Sequence, residues 1–379
     1  MLAPAGSPAR RSRFAGAVHD YSPFTPLLSL TAAIEAASPD LVIPCDDRAL
    51  GLLLRRHAAG GPGTDLIARS LGAPAAYGQL TARADFIAAA AEEGICVPES
   101  VSLDSEADLE RGLARIGFPA VIKADGSWGG EGVAIVHSCE EAYAAFDRLS
   151  RSLPPLRALA RALRRRDAHH FTDTLAAVTP RLSMQAYISG MPATTAFACW
   201  QGEVLAAIHA DVVTAAGSTG PASVVRIVAD EAMQEAAVKL ARRFGLSGLH
   251  GLDFIRDGEG RVHLLEINPR ATQTAALPLG AGRDLIAALT ARVAPESAVA
   301  VPPTIDGDLV ALFPQEWRRD PASSFLAEAH HDVPWDDPVF LRACLTPGCP
   351  HPVAGWLARF RPVAASLPLG NQAVLASEP

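Results

Sequence analysis

The run Leu264-Leu265-Glu266-Ile267-Asn268-Pro269-Arg270 places an acid, an amide and a guanidinium on one short segment. Before Pro269 it reads as a buried strand, and residues two apart on a strand share a face, so Glu266 and Asn268 point the same way. Both offer hard oxygen. Such ligands suit Mg²⁺, an ion usually held by one or two carboxylates plus substrate phosphates rather than by a complete protein cage. Asp253 lies in a second apolar run, Gly251-Leu252-Asp253-Phe254-Ile255, and Asp257-Gly258-Glu259-Gly260 between the runs reads as a hairpin turn. Pairing of the two runs brings Asp253 beside Glu266 and gives a metal set of Asp253, Glu266 and Asn268, which implies a nucleotide. The plainer alternative is a hairpin carrying a few edge acids.

Phe118-Pro119-Ala120-Val121-Ile122-Lys123 is a short apolar strand closing on a cation, followed by Gly126-Ser127-Trp128-Gly129-Gly130-Glu131-Gly132. Glycines let backbone N–H groups approach phosphate oxygens closely, and a lysine adds a compact positive charge. Of the 33 Lys plus Arg, only Lys123 and Lys239 are lysine, so the position of Lys123 looks chosen. A Walker-type loop is excluded, because the lysine precedes the glycines and no Gly-Lys-Ser/Thr follows. The alternative here is a flexible hairpin loop.

Together these segments resemble the ATP-grasp superfamily, over roughly residues 75 to 290. The resemblance implies a fold of α/β and α+β character that holds ATP between two α+β subdomains, with Mg²⁺, or Mn²⁺ in its place. It implies a reaction that joins a small-molecule carboxylate to an amine. In that family a lysine before the Gly-rich loop contacts the α- and β-phosphates, and Lys123 matches it. An earlier cation opens the helix before a Gly-Ile-x-x-Pro-like turn; Arg83, ahead of Gly94-Ile95-Cys96-Val97-Pro98, takes that place where the family commonly has lysine. The hinge that offers backbone groups to adenine matches Met184-Gln185-Ala186-Tyr187-Ile188-Ser189-Gly190. Nucleotide contacts implied in this way are Arg83, Lys123, Gly126, Ser127, Trp128, Gly129, Gly130, Glu131, Gly132, Gln185, Ala186, Tyr187 and Ile188. Many relatives begin the hinge with Glu and place another acid two residues after its glycine, for the ribose, where this chain has Gln185 and Pro192.

The Asn-Pro-Arg ending resembles the biotin carboxylase and carbamoyl phosphate synthetase branches rather than the D-alanine ligase version. Arg270 then faces the transferred phosphoryl group or a carboxylate, which fits the bidentate fork of guanidinium, and is catalytic together with Lys123. Some ligases place an arginine two residues before the metal-side acid. Gly251 stands there in this chain, which leaves stabilisation of the electrophile to Arg270 and Lys123, with Arg226 the next cation in reach and a structural salt bridge its alternative. No biotin-carrier or glutamine-amidotransferase signature and no second ATP-binding unit is present, which weakens the carboxylase and carbamoyl phosphate readings. The reading is a Mg-ATP-dependent ligase working through an acyl phosphate. Its alternatives are an enzyme that activates bicarbonate or stops at phosphorylation, and a nucleotide-binding regulator without turnover.

Length and composition agree with such an enzyme: 379 residues with 49% hydrophobic content support about two or three packed units. Alanine-rich stretches are too short or too interrupted to span a bilayer, and Met1 to Gly16 lacks the apolar core of a signal peptide. A cytoplasmic protein without a membrane partner is expected. A formal net charge of −8 argues against nucleic acid as the principal partner. Cys45, Cys96, Cys139, Cys199, Cys344 and Cys349 are scattered, as reduced thiols would be. Cys344, Cys349 and His351, with His330 and His331, can be drawn as a zinc site, but paired Cys-x-x-Cys clusters are lacking. Oligomeric state is not legible, and a homodimer is compatible with the sequence.

Organisation follows from the same pass. Residues 1–80 are expected to form a short doubly wound N-terminal subdomain, with a parallel strand at Leu41–Ile43 and an acidic turn at Asp46-Asp47 opening the next helix, as N-cap or as cleft residue. Residues 1–30 show no clear βα opening, so the first strand and helix are expected to be missing or the start to be misassigned. Residues 81–294 form the ATP-grasp domain, with a lid at about 115–183 that includes an arginine-rich helical insert carrying Arg148, Arg151, Arg157, Arg161, Arg164, Arg165 and Arg166. Residues 295–379 are a C-terminal extension, entered through Pro295, Pro302 and Pro303 and a strand at Leu309–Phe313.

Overall fold

A computed structural model describes residues 1–125, 132–150, 180–217, 220–297 and 304–346. The chain opens with β1 (Leu2–Pro4) and β2 (His19–Tyr21), which pair in parallel, and the helices α1 (Pro26–Ala37), α2 (Asp47–Ala58), α3 (Thr64–Leu71) and α4 (Tyr77–Thr81). Leu30, Leu50, Leu52, Leu53, Ile67 and Leu71 form their core. Two sequence expectations are corrected here. The opening strands and helix are present, but strands of three residues are too short to show an alternating pattern. Leu41–Ile43 is not a strand: the Val42 N–H donates to Ser70 Oγ at 3.0 Å instead of to a ladder, while Leu41 and Ile43 pack against the core of the largest sheet.

After α5 (Arg83–Glu92) come β3 (Ser100–Leu103), α6 (Glu106–Ile116), β4 (Ala120–Ala124), β5 (Val133–Val136), α7 (Cys139–Ser150) and β6 (Leu182–Ala186). The strands form an antiparallel sheet in the order β3-β6-β4-β5. Ser105 starts α6 by accepting from the Asp108 N–H at 3.2 Å, and its own hydroxyl donates to Asp108 Oδ2 at 2.6 Å. Leu109 of α6 and Ala142 and Ala145 of α7 then cover one face of the sheet, where Ala120, Ile122 and Ala124 of β4 point. Alternation sends Val121 and Lys123 to the opposite face.

The largest sheet is built from β7 (Gly190–Trp200), β8 (Glu203–Ala215), β9 (Ala222–Val228), β10 (Gly248–Asp257), β11 (Val262–Asn268), β12 (Leu309–Ala311) and β13 (His330–His331). Its order is β11-β10-β7-β8-β9-β12-β13, antiparallel throughout except for β12–β13. Residues 195–199 of β7 are buried on both faces, because helices cover both. On one side lies α8 (Glu231–Phe244), whose Met233, Ala236, Ala237, Leu240, Ala241 and Phe244 make a single helical stripe. Full burial of a side chain such as Leu240 stabilises by about 1.5–3 kcal/mol. On the other side α9 (Leu285–Val293) inserts Leu285 and Leu289.

The C-terminal stretch is stitched to this sheet by β12 and β13. Behind them Glu316 is fully buried, and its hydrogen bonds from Arg319 and Ser323 hold its carboxyl down at about 2. Among the described residues no helix is long and apolar enough to cross a membrane, and no group of three or more His, Cys, Asp or Glu could hold a metal ion. Cys349 and His351 of the drawn zinc site, and the arginines of the insert from Arg151 to Arg166, lie outside the described residues.

Candidate active site

The hairpin expected from sequence forms, with the turn at Asp257–Gly260, and its register sets Asp253 directly opposite Glu266 and Gly251 opposite Asn268. Asn268 Nδ2 donates to Asp253 Oδ2 at 2.8 Å, while its Oδ1 accepts from Arg270 Nη2 at 3.0 Å. A carboxylate on one side and a guanidinium on the other fix the orientation of the amide. Thr194, opposite Asp253 on β7, donates to Asp253 Oδ1 at 3.1 Å.

Three cations surround these acids. Arg83, at the start of α5, donates from Nε to Glu266 Oε2 at 3.0 Å, from Nη1 to the Ala124 carbonyl, and lies 3.7 Å from Asp125. Lys123 is buried on β4 and donates to Gln185 Oε1 at 2.9 Å across the β4–β6 ladder, and Gln185 Nε2 in turn donates to Ser100 Oγ at 3.2 Å. Arg270 Nε meets Asp47 Oδ1 at 2.9 Å. Its neighbour Asp46 is the N-cap of α2, accepting from the Ala49 N–H at 2.7 Å. The acidic turn thus serves both roles open to it, one acid capping the helix and the other aligning the guanidinium.

Electrostatics divide the two central acids. Burial, and then the charge of Glu266, push the Asp253 carboxyl up to about 6, against hydrogen bonds from Asn268 and Thr194. Burial would raise Glu266 as well, but Arg83, Lys123 and Arg270 outweigh it and hold that carboxyl below its ordinary range. Burial lowers Lys123, opposed by Glu266 and Asp253. Two carboxylates sharing one site, one of them reluctant to ionise, lack a positive charge between them. Hard carboxylate oxygens on adjacent strands, with the Asn268 amide beside them, fit Mg²⁺ as a donor set.

Gly251 has a steric reason. A Cβ built there would stand 2.4 Å from Thr272 Cγ2, so the arginine that some ligases carry at this place is excluded unless the turn after Arg270 moves. Gly190, the last residue of the hinge, lets β7 approach β10, since a Cβ there would lie 2.1 Å from the Arg256 carbonyl oxygen.

The structure brings Arg83, Lys123, Gln185, Asp253, Glu266, Asn268 and Arg270 into one connected network. Ala186 ends β6, Tyr187 is exposed and Ile188 half-buried. The Ala186 and Tyr187 N–H groups donate to the Glu99 and Pro119 carbonyls at 2.8 and 3.3 Å, so both amides are already engaged. Gly132 accepts from the Ala124 N–H at 2.8 Å through its carbonyl. Gly126, Ser127, Trp128, Gly129, Gly130 and Glu131 lie outside the described residues. Arg226 pairs with Asp308 at 2.9 Å at an exposed position where β9 meets β12, the structural salt bridge that was its alternative. Thr194 and Asp125 were not legible as site residues. Thr194 follows from the β7–β10 register, whereas Asp125 carries no signal beyond its place after Lys123.

The family described as ATP-grasp in the biosynthetic pathway with Ter operon matches residues 180–312, a span that holds Asp253, Glu266, Asn268 and Arg270. Among solved structures, the biotin carboxylase–β,γ-ATP complex of Campylobacter jejuni superposes with a TM-score of 0.53 at 17% identity, over 72% of this chain and 58% of that one. The biotin carboxylase domain of Hydrogenobacter thermophilus 2-oxoglutarate carboxylase, in complex with MgADP, ADP and bicarbonate, gives 0.54 at 15%, over 75% and 61%. Carboxyaminoimidazole ribonucleotide synthase of Aspergillus clavatus, complexed with ATP, gives 0.52 at 16%, over 79% and 71%. The chain thus spans about three-fifths of the two biotin carboxylase chains, and identities this low speak for the fold alone. With its two sheets, a paired-acid hairpin and a buried lysine on the strand before a Gly-rich loop, the chain has the ATP-grasp fold, and residues 180–312 match an ATP-grasp family model.

Proposed function

We propose that the chain is a Mg-ATP-dependent ligase that joins a small-molecule carboxylate to an amine through an acyl phosphate, releasing ADP and phosphate. The observation that carries this reading is the Asp253–Glu266 pair, set between Arg83, Lys123 and Arg270. Asp253 and Glu266, with Asn268, would hold Mg²⁺, which when bound supplies charge neutralisation and Lewis acidity at phosphate oxygens. Lys123 and Arg83 would take the phosphates of ATP. Gln185, itself held by Ser100, holds the Lys123 ammonium in one position, which would let its charge act with little reorganisation. Arg270, fixed on two sides by Asp47 and Asn268, is a preorganised guanidinium for the charge that develops on phosphoryl transfer. No side chain need be covalently modified.

A second reading takes bicarbonate as the acid. It is supported by the likeness to a carboxylase domain whose structure contains bicarbonate with MgADP. One experiment separates the readings: pooled carboxylates, with bicarbonate as its own arm, are crossed with pooled amines, and ADP release is followed. Release that needs both an organic acid and an amine supports the ligase. Release with bicarbonate in place of the organic acid supports the second reading, and tight Mg-ATP binding with no turnover in any arm overturns both in favour of a regulator.

A further inference from the structure

Away from the nucleotide cleft, a thiol, an imidazole and a carboxylate stand in line. Cys96 Sγ lies 3.3 Å from His263 Nδ1, and His263 Nε2 lies 2.8 Å from Asp257 Oδ2. The three come from two elements: Cys96 from the turn after α5, His263 and Asp257 from the β10–β11 hairpin. The Leu264 N–H donates to the Cys96 carbonyl at 2.9 Å and fixes the turn against β11. Cys96 is a free, exposed thiol, whereas the His263 and Asp257 side chains are only 12% and 13% exposed.

Protonation roles in this row follow from its acid end. Hydrogen bonds from His263 and from the Glu259 and Arg261 N–H groups hold the Asp257 carboxyl down at about 2, so it can only accept. His263 Nε2 therefore carries a hydrogen, and Nδ1 presents its lone pair to the thiol. Arg261 pairs with Asp257 at 3.2 Å and with Glu259 at 3.0 Å. A thiol with an aligned base, the base oriented by a buried acid, is the arrangement that activates a sulfur nucleophile.

We propose that Cys96 is a modification site, a His263-activated thiol that undergoes exchange with small-molecule disulfides. The Sγ proton passes to His263 Nδ1, and the Sγ electron pair forms a bond to one sulfur of the disulfide. The disulfide's own S–S bond breaks, its electron pair leaves on the departing sulfur as a thiolate, and that thiolate takes up a proton from the imidazolium or from water. The products are a mixed disulfide at Cys96 and one free small thiol.

The probe is glutathione disulfide in excess over the full-length protein, with adduct at each cysteine quantified by peptide mass spectrometry over time. Cys139, also free and exposed, is the comparison within the same molecule. Cys96 is expected to form its adduct about tenfold or more faster than Cys139. His263→Gln is expected to slow Cys96 by about the same factor while leaving Cys139 unchanged. A Cys96 rate no greater than that of Cys139 in the wild-type protein overturns the proposal without recourse to any variant. So does a Cys96 rate that His263→Gln leaves intact in a protein whose buried Cys199 stays unmodified and so shows it to be folded.

Discussion

Replacing Glu266 by Gln removes one charge while nearly keeping the side chain's shape, and the structure allows its two consequences to be weighed. Arg83 loses the carboxylate that meets its Nε at 3.0 Å but keeps the Ala124 carbonyl and Asp125. With side chains 19% and 26% exposed, the pair lies between surface bridges, worth up to about 1 kcal/mol, and buried ones, whose breaking costs about 3–5 kcal/mol. Against this, Asp253 sheds a like charge. That charge is the second cause, after burial, of the raised Asp253 carboxyl, so its removal offsets part of the loss. A net loss of about 1–2 kcal/mol in unfolding free energy is expected, with cooperative unfolding kept. Metal dependence should suffer far more, because an amide replaces one of the two carboxylates proposed to hold Mg²⁺. The assay is calorimetric titration with ADP, with and without Mg²⁺, beside a denaturant melt. The gain in ADP affinity from Mg²⁺ should fall by about tenfold or more, and any turnover found should drop by about 10²-fold or more. A variant that keeps the full Mg²⁺ gain refutes the metal assignment, and one that loses about 4 kcal/mol of stability refutes the claim that Glu266 is chiefly functional.

Arg270→Lys preserves charge but cannot meet Asp47 and Asn268 together, so kcat should fall by about 10²-fold or more with little change in ATP affinity; loss of affinity in equal measure would place Arg270 among the ground-state contacts. Gly251→Ala should destabilise by about 1–3 kcal/mol in a denaturant melt, because its methyl meets Thr272 Cγ2; an unchanged midpoint would show that the turn yields freely. Burial pushes His250 down to about 4, with its Nε2–H donated to the Ser247 carbonyl at 2.8 Å. The unfolded imidazole binds its proton near 6.5, so this contribution to stability is present above that pH and is lost as pH falls from about 6.5 through 4, up to about 3 kcal/mol. Asp253, raised to about 6, acts with the opposite sign over much of the same range, so the quantity to measure is wild type minus His250→Gln. A difference that does not change between pH 7 and pH 4 would contradict a buried neutral His250.

What the sequence disclosed about this site was whatever local geometry dictates. The alternation of Glu266 and Asn268, the Asp-Gly-Glu-Gly turn and the single lysine before a Gly-rich run are each complete within a few residues, and the structure forms the hairpin and sets Asp253 opposite Glu266. Strands β1 and β2 went unseen because three residues carry no period, and Leu41–Ile43 misled because an apolar run beside the largest sheet resembles a strand in that sheet. Partnerships were illegible for a different reason. Arg83 and Glu266 are 183 residues apart, and Arg270 and Asp47 are 223, separations over which no spacing rule operates.

Those hidden partnerships bear on how the site would work. Glu266 is engaged by Arg83, and the Asn268 side-chain oxygen by Arg270, so ligand groups and cations hold one another in place. On the proposed reading, a polyphosphate offers Arg83 a second acid while its metal ion offers Glu266 a second cation. Either partner alone would break an ion pair and leave one charge short, whereas the two arriving together exchange one set of pairs for another. The raised carboxyl of Asp253 points the same way: burial and the neighbouring charge of Glu266 both oppose its ionisation, and a ligand that brings positive charge between the two acids would favour it.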